Sequence, residues 1–165
     1  RLMEQVDLAC QSPAQLVWQP DNLSGDMTPP DLFKEFVLPF YQEASERVRN
    51  AGKVYVVHMD GRMKSLCNMI AESGVPVIES FSLPDVGGDI SLEEAYAVWP
   101  SKVILPNFPA SWCEKNDDAI RLALAEMLAA VPKTANVIIQ ISEDLTPNQF
   151  YRVGRLLTEF EQERP

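Results

Sequence analysis

Five short, continuous apolar runs constrain the fold of this 165-residue chain more than any other feature. They occupy residues 16–18, 54–57, 75–78, 103–105 and 136–139. The clearest runs are rich in β-branched side chains and do not alternate polar with apolar residues, which is typical of parallel strands covered on both faces. Segments of helical character separate the runs. The pattern predicts an α/β fold of about five parallel βα units.

Helical spacing of apolar residues predicts the connecting elements. The predicted helices cover residues 29–50, 62–72, 91–98, 117–131 and 146–161, with the tail of a further helix at 2–9. Pro39 is expected to kink or divide the first of these, because proline lacks the backbone N–H that a helix interior requires. Ser91 with Glu94, and Thr146 with Gln149, form capping-box patterns that mark two helix starts.

Composition excludes several classes of protein. The 14 basic and 24 acidic residues give a net charge of −10, which argues against nucleic-acid binding, since phosphate contacts need clustered Lys and Arg. No apolar run approaches the roughly 18 residues of a membrane span. The three cysteines are widely spaced without a CxxC pair, so neither a disulfide framework nor a cysteine-rich zinc site is expected. A reducing cytoplasm is the predicted location.

Polar residues follow every predicted strand. Because the carboxyl ends of parallel strands meet at one rim of the sheet, these residues predict a common site for a small-molecule substrate. The predicted substrate-binding residues are Asp21, Asn22, Glu79, Asn107 and Gln140. Asp21 and Asn22 equally suit an ordinary turn.

His58 is the only histidine in the chain. His58 and Asp60 stand two residues apart at a strand end, so they are expected to share one face. They are candidate catalytic residues, as a base and its orienting partner, or candidate ligands of a metal ion, with Glu143 or Glu79 as a third ligand. A third interpretation stays open, in which His58 is a hydrogen-bonded core residue and Asp60 caps the next helix.

Three segments carry a resemblance to a known family. Residues 31–41, DLFKEFVLPFY, preceded by Thr-Pro-Pro, resemble the "sPelFrefvlPy" signature of the uroporphyrinogen decarboxylase superfamily. Residues 53–75 are similar to that superfamily's "G.pv.lH..G" block and the helical segment after it, and residues 103–109, VILPNFP, resemble its "v.l.GN.dP" strand. The resemblance spans about residues 15–160, nearly the whole chain.

The resemblance implies a (β/α)8 TIM barrel, of which this chain matches the carboxyl-terminal half. The superfamily includes decarboxylases that need no cofactor and corrinoid-dependent methyltransferases that carry zinc and methylate a thiol. Where the decarboxylases have LDW, QGNxDP and NLGHG motifs, this chain has Glu-Ser-Phe at 79–81, LPNFP at 105–109 and QISED at 140–144. These departures argue against uroporphyrinogen decarboxylation.

The methyltransferases use a His-x-Cys-Gly motif at the second strand end and a further cysteine after the last strand. This chain keeps His58 and Gly61, but it has Asp60 where the motif has its cysteine. The position of the methyltransferases' second cysteine corresponds to the region of Ser142 and Glu143. A metal held by His58, Asp60 and Glu143 would therefore have nitrogen and oxygen ligands in place of sulfur.

The prediction is an enzyme of this superfamily, a divergent methyltransferase-like member that acts on a corrinoid or a small methylated compound, with a corrinoid protein as partner. Two alternatives stand beside it: a metal-free lyase of the decarboxylase type, and a half-barrel that works only in assembly. Residues 1–165 are expected to form one domain. The start at Arg1 and five strands of the eight in a barrel of about 250 residues predict the carboxyl-terminal part of a larger enzyme. A homodimer, or association with the missing amino-terminal half, is therefore expected.

Overall fold

A four-stranded, all-parallel sheet forms the centre of the structure, a computed structural model that describes residues 1–163. The strands lie side by side in chain order: β1 (Leu16–Leu23), β2 (Val54–Met59), β3 (Val77–Phe81) and β4 (Val103–Pro106). Helices connect consecutive strands, which confirms the predicted α/β fold of parallel βα units. The predicted single domain ends at residue 165, and its last two residues lie outside the described part.

The helices follow the helical spacing of the sequence, except that the helix predicted from residue 62 begins at Cys67, after a 3-10 turn at Lys64–Leu66. They are α1 (Leu2–Gln11), α2 (Pro30–Leu32), α3 (Leu38–Asn50), α4 (Cys67–Glu72), α5 (Leu92–Val98), α6 (Asp117–Ala129) and α7 (Pro147–Glu163). Both predicted capping boxes are present: Ser91 exchanges hydrogen bonds with Glu94, and Thr146 does so with Gln149. Over residues 1–163, no helix combines the length and apolar character needed to cross a membrane.

The predicted division near Pro39 is confirmed, and it takes the form of a π-helical turn. Phe33–Val37 is π-helical and separates the short α2 from α3, in which Pro39 is the second residue. Proline has no N–H to donate to the carbonyl four residues earlier, and its ring collides with that carbonyl in a regular helix. The wider π turn accommodates this position.

The two faces of the sheet differ in burial. Val17, Tyr55, Val57 and Ile104 are buried in the core beneath the helices. Side chains alternate along a strand, so their neighbours occupy the opposite face. There Leu16 is 61% exposed, Trp18 56% and Val54 41%. Within the described residues, helices therefore cover one face of the sheet, and the other face is partly open.

Four of the five predicted runs form the strands of the sheet, and the predicted fifth strand is only partly formed. Residues 136–140 make two isolated parallel bridges to β4 and its end, Ile104 with Val137 and Asn107 with Gln140. No further strand flanks this segment within residues 1–163, so its backbone pairs along one edge only. Ile138 is correspondingly 57% exposed.

Candidate active site at the carboxyl ends of the strands

His58 lies near the end of β2 and has a carboxylate near each ring nitrogen. Its Nδ1 is 2.7 Å from Oε2 of Glu79, its register partner on β3. Its Nε2 is 3.9 Å from Oδ2 of Asp60. The predicted proximity of His58 and Asp60 is present, and Glu79 completes a row of three polar side chains along this rim. Glu79 is buried, while the Asp60 side chain is 42% exposed.

Glu79 is surrounded by hydrogen-bond donors. Its Oε2 accepts from the indole Nε1 of Trp18 at 3.1 Å and faces His58, and its Oε1 accepts from the side-chain amide of Gln140. Burial by itself would raise the pKa of Glu79, but the hydrogen bonds from Gln140, Trp18 and His58 outweigh it and lower that pKa below its usual value. Glu79 is therefore ionised and accepts only, which assigns the His58 proton to Nδ1. In the neutral form of the ring, the lone pair would then be on Nε2, on the side of Asp60.

An unusual backbone conformation follows Glu79. Ser80 is a buried residue with φ of 66°, in the left-handed region that favours glycine. The pairing of β3 with β4 shifts register here, between Ile78 and Phe81. Such strain persists only where the surroundings impose it, and it is concentrated at functional sites.

Hydrogen bonds from the neighbouring segments hold Ser80 in place. The Asn107 side-chain amide donates to the Ser80 hydroxyl at 2.9 Å and to its carbonyl at 3.2 Å, and the Ser80 N–H donates to the Gln140 side-chain oxygen at 3.3 Å. The Ser142 hydroxyl donates to the Asn107 oxygen. Asn107 and Gln140, both predicted to bind substrate, are thus brought to the site. In this structure their polar side-chain atoms hydrogen-bond to Ser80, and Gln140 also to Glu79.

Asp21 and Asn22 lie at the end of β1, beside a different hydrogen-bond network. The Tyr41 hydroxyl donates to Asp21 at 2.7 Å, and the Gln19 amide donates to the same carboxylate at 2.7 Å. Burial, followed by the charge of Asp21 and the hydrogen bond to it, raises the pKa of Tyr41, which stays protonated as the donor. Asp21 also lines a pocket of about 380 Å³. No hydrogen bond described within residues 1–163 joins this network to Glu79 or His58.

Comparison of the sequence with protein families gives one decisive result. The sequence profile of uroporphyrinogen decarboxylase (URO-D) matches residues 2–157.

The chain belongs to the uroporphyrinogen decarboxylase family.

The resemblance seen in the sequence is thereby confirmed.

Solved structures support the same fold. A methyltransferase from Methanosarcina mazei superposes with a TM-score of 0.68 and 17% sequence identity, over 94% of this chain. This chain spans 45% of the length of that methyltransferase. At this level of identity the likeness establishes the fold, a partial TIM barrel, and leaves the chemistry to be argued from the site. Among curated proteins, the comparison finds no match.

The resemblance to the methyltransferases of the superfamily implies zinc, and the donor set of this site does not fit it. Within residues 1–163, no group of three His, Cys, Asp or Glu side chains is placed to hold a metal ion. Glu79 lies on the Nδ1 side of His58, and both of its oxygens already accept from N–H or amide donors. The predicted ligand set of His58, Asp60 and Glu143 is not assembled, because exposed Glu143 does not join the pair. No metal-dependent step is derived from this structure.

Trp18 belongs to the site as well, although it is not among the residues predicted from the sequence. The structure joins Trp18 to Glu79 and places its ring in a T-shaped contact with that of His58, with centroids 6.3 Å apart and planes at 83°. Its register partner on β2 is Val56, two residues before His58, so the alternation of side chains already placed Trp18 on the face of His58. Nothing in the sequence marked Ser80 or Ser142.

Proposed function

We propose that this chain carries one side of the active site of a methyltransferase-like enzyme of the uroporphyrinogen decarboxylase superfamily. His58 is the proton acceptor, and Glu79 is the positioning residue behind it. The observation that carries the proposal is the 2.7 Å contact between His58 Nδ1 and the buried Glu79 carboxylate. It fixes the tautomer and orientation of the ring, in the way that a carboxylate prepares a histidine for general base catalysis.

In the proposed reaction a small methylated compound or a methyl-corrinoid supplies the methyl group. An acceptor bearing an acidic proton binds within reach of His58 Nε2. The acceptor's proton passes to Nε2 as its electron pair forms the bond to the methyl carbon. The bond between that carbon and the leaving group breaks, and the leaving group keeps the electron pair. Asp60, 3.9 Å from Nε2, stabilises the positive charge that develops on the ring.

The remaining surface of the site is proposed to come from the other part of the barrel. The exposed apolar side chains of Leu16 and Val54 on the open sheet face and the unpaired edge of β1 call for another layer of protein, because parallel sheets are covered on both faces. The proposed covering partner is the amino-terminal half of the barrel or a second copy of this chain. A corrinoid protein is the proposed macromolecular partner, in a cytoplasmic setting.

The test uses the complete gene product that carries this chain. Methyl transfer from methylcobalamin to a small thiol is measured for the wild type, for His58→Gln, and for Glu143→Gln as an exposed acidic control. We expect His58→Gln to lower kcat by roughly 100-fold or more, with Glu143→Gln close to the wild type. Equal rates for His58→Gln and the wild type would refute the role of His58. Metal analysis of the same samples tests a His58-bound metal ion, which the proposed site does not require.

The family match supports a second candidate, a metal-free decarboxylase. In that reaction fixed donors would stabilise the charge that develops as carbon dioxide leaves. A porphyrinogen turnover assay on the same preparation distinguishes the two candidates, because only the decarboxylase releases carbon dioxide from that substrate.

A further inference from the structure

Trp18 is an exposed aromatic residue beside the proposed base. Its indole N–H donates to Glu79 at 3.1 Å, and its ring makes a T-shaped contact with the ring of His58. These two contacts fix the orientation of the ring, yet the residue is 56% exposed. A fixed, uncovered indole is the best aromatic partner for a cation, which is attracted to the negative face of the ring.

The charged groups nearest to His58 are negative. Asp60 is partly exposed at 3.9 Å from Nε2, and Glu79 is ionised on the other side of the ring. Two basic side chains follow on the same loop, but each has its own carboxylate. Arg62 lies 3.9 Å from Asp89, and Lys64 lies 3.0 Å from Glu94.

We infer that this site binds a small organic cation of the methylated ammonium class, with its charge between the face of Trp18 and the carboxylate of Asp60. The inference rests on the proposed function and names the class of substrate for that site. A methylated ammonium suits both surfaces, because its charge is spread over apolar methyl groups that pack against an indole without strong hydrogen bonds. The partly exposed carboxylate of Asp60 supplies the counter-charge without complete desolvation.

The same arrangement disfavours anionic ligands. A polycarboxylated substrate at this position would approach Asp60 and Glu79 directly. Because like charges in a partly desolvated site repel, discrimination between a cation and an anion is expected to be strong. The cation's advantage over a neutral molecule of the same shape comes from the indole and Asp60, and amounts to roughly 3–30-fold in affinity.

The experiment is an NMR titration of the complete gene product, in which the His58 signals, assigned by their loss in His58→Gln, report on the site. The probes are choline, its uncharged isostere 3,3-dimethylbutan-1-ol, and the dicarboxylate glutarate. We expect choline to shift the His58 signals and to bind at least roughly 3-fold more tightly than the isostere, with glutarate causing no shift at these signals. Equal affinity for choline and the isostere, preferential binding of glutarate, or no response to any probe would each overturn the inference.

Matched variants locate the binding surface. Trp18→Leu and Asp60→Asn are each expected to weaken choline binding by roughly 3-fold or more, and Trp18→Phe by less because it retains an aromatic face. Tyr151→Leu and Asp31→Asn remove an exposed aromatic ring and an exposed carboxylate elsewhere, on α7 and α2, and should leave binding unchanged. Circular dichroism verifies that each variant is folded. Unchanged choline affinity in folded Trp18→Leu and Asp60→Asn would overturn the inference.

Failure of this inference and failure of the proposed function give different results. If choline binds as expected but no methyl transfer occurs in any assay, the cation site stands and the methyltransferase proposal fails. If methyl transfer depends on His58 but proceeds only with neutral or anionic methyl donors and choline does not bind, the inference alone fails.

Discussion

Lys102 carries a buried positive charge, and the stability that this charge costs the folded state can be measured from the pH dependence of the free energy of unfolding. The residue is 8% exposed at the amino end of β4, and its ammonium group donates a hydrogen bond to the carbonyl of Val75. Burial, uncompensated by a neighbouring carboxylate, lowers the pKa of Lys102 from 10.5 to about 8. The perturbation is Lys102→Met, which keeps an unbranched side chain of similar length and removes the charge.

The magnitude follows from the difference between the folded and unfolded values. At 1.36 kcal/mol per pKa unit, the charged lysine costs the native state about 3 kcal/mol near neutral pH. Between about pH 8 and pH 10.5 the unfolded chain binds more protons at this site than the folded chain, so stability rises with pH. From about pH 7 to about pH 9.5 the wild type should gain about 2 kcal/mol from Lys102.

The assay is urea unfolding at both pH values for the wild type, Lys102→Met and Lys133→Met, a control in which an exposed lysine is removed. Groups common to all three proteins cancel in the comparison. The wild type and Lys133→Met should gain about 2 kcal/mol more than Lys102→Met between the two pH values. An equal gain in Lys102→Met and the wild type would refute the argument that burial lowers this pKa.

Three further predictions test the packing and the site. A Cβ on Gly88 would lie 2.0 Å from the Ser82 carbonyl oxygen, whereas one on Gly154 in α7 would have no heavy atom within 4 Å. Thermal unfolding should therefore show Gly88→Ala to be more destabilising than Gly154→Ala, by about 2 kcal/mol. Ser80→Ala keeps the left-handed φ and loses the hydrogen bond from Asn107, which should lower the free energy of unfolding by about 1 kcal/mol. Ser80→Gly loses the same bond but should recover about 1 kcal/mol, because glycine adopts this φ without strain. Equal stability of the two variants would contradict the strain. Glu79→Leu leaves the Trp18 and His58 donors without their acceptor, so urea unfolding should show a loss of about 2–3 kcal/mol in stability. A loss no greater than that of Glu143→Leu would show that the buried carboxylate does not accept these hydrogen bonds.

Local patterns predicted the fold because its elements are local. The apolar runs at β1 to β4 and the capping boxes at Ser91 and Thr146 depend on residues a few positions apart, and the structure contains them. The segment at 136–139 has the same composition as a strand but is only partly paired. A strand requires a neighbouring edge as well as suitable residues, and composition carries no information about that edge.

The candidate site was predictable only where strand geometry determines it. The two-residue spacing placed His58 beside Asp60, and the alignment of strand ends brought Glu79 to the same rim. The contacts from Trp18 and Gln140 to Glu79 each bridge 61 positions of sequence, and they depend on the exact register of separate strands. The left-handed turn at Ser80 was equally hidden, because a serine carries no conformational signal of that kind.

The order of the strands also determines when the site can form during synthesis. Each strand pairs with the one made just before it, so β1, β2 and β3 can assemble as the chain leaves the ribosome, and His58 meets Glu79 after only 21 further residues. The amide of Gln140 follows Glu79 by 61 residues, which at about 5–20 residues per second is roughly 3–12 seconds of translation. During that interval water serves as the donor to Oε1 of Glu79. Oε1 of Glu79 thus gains its amide donor only when the segment after β4 arrives.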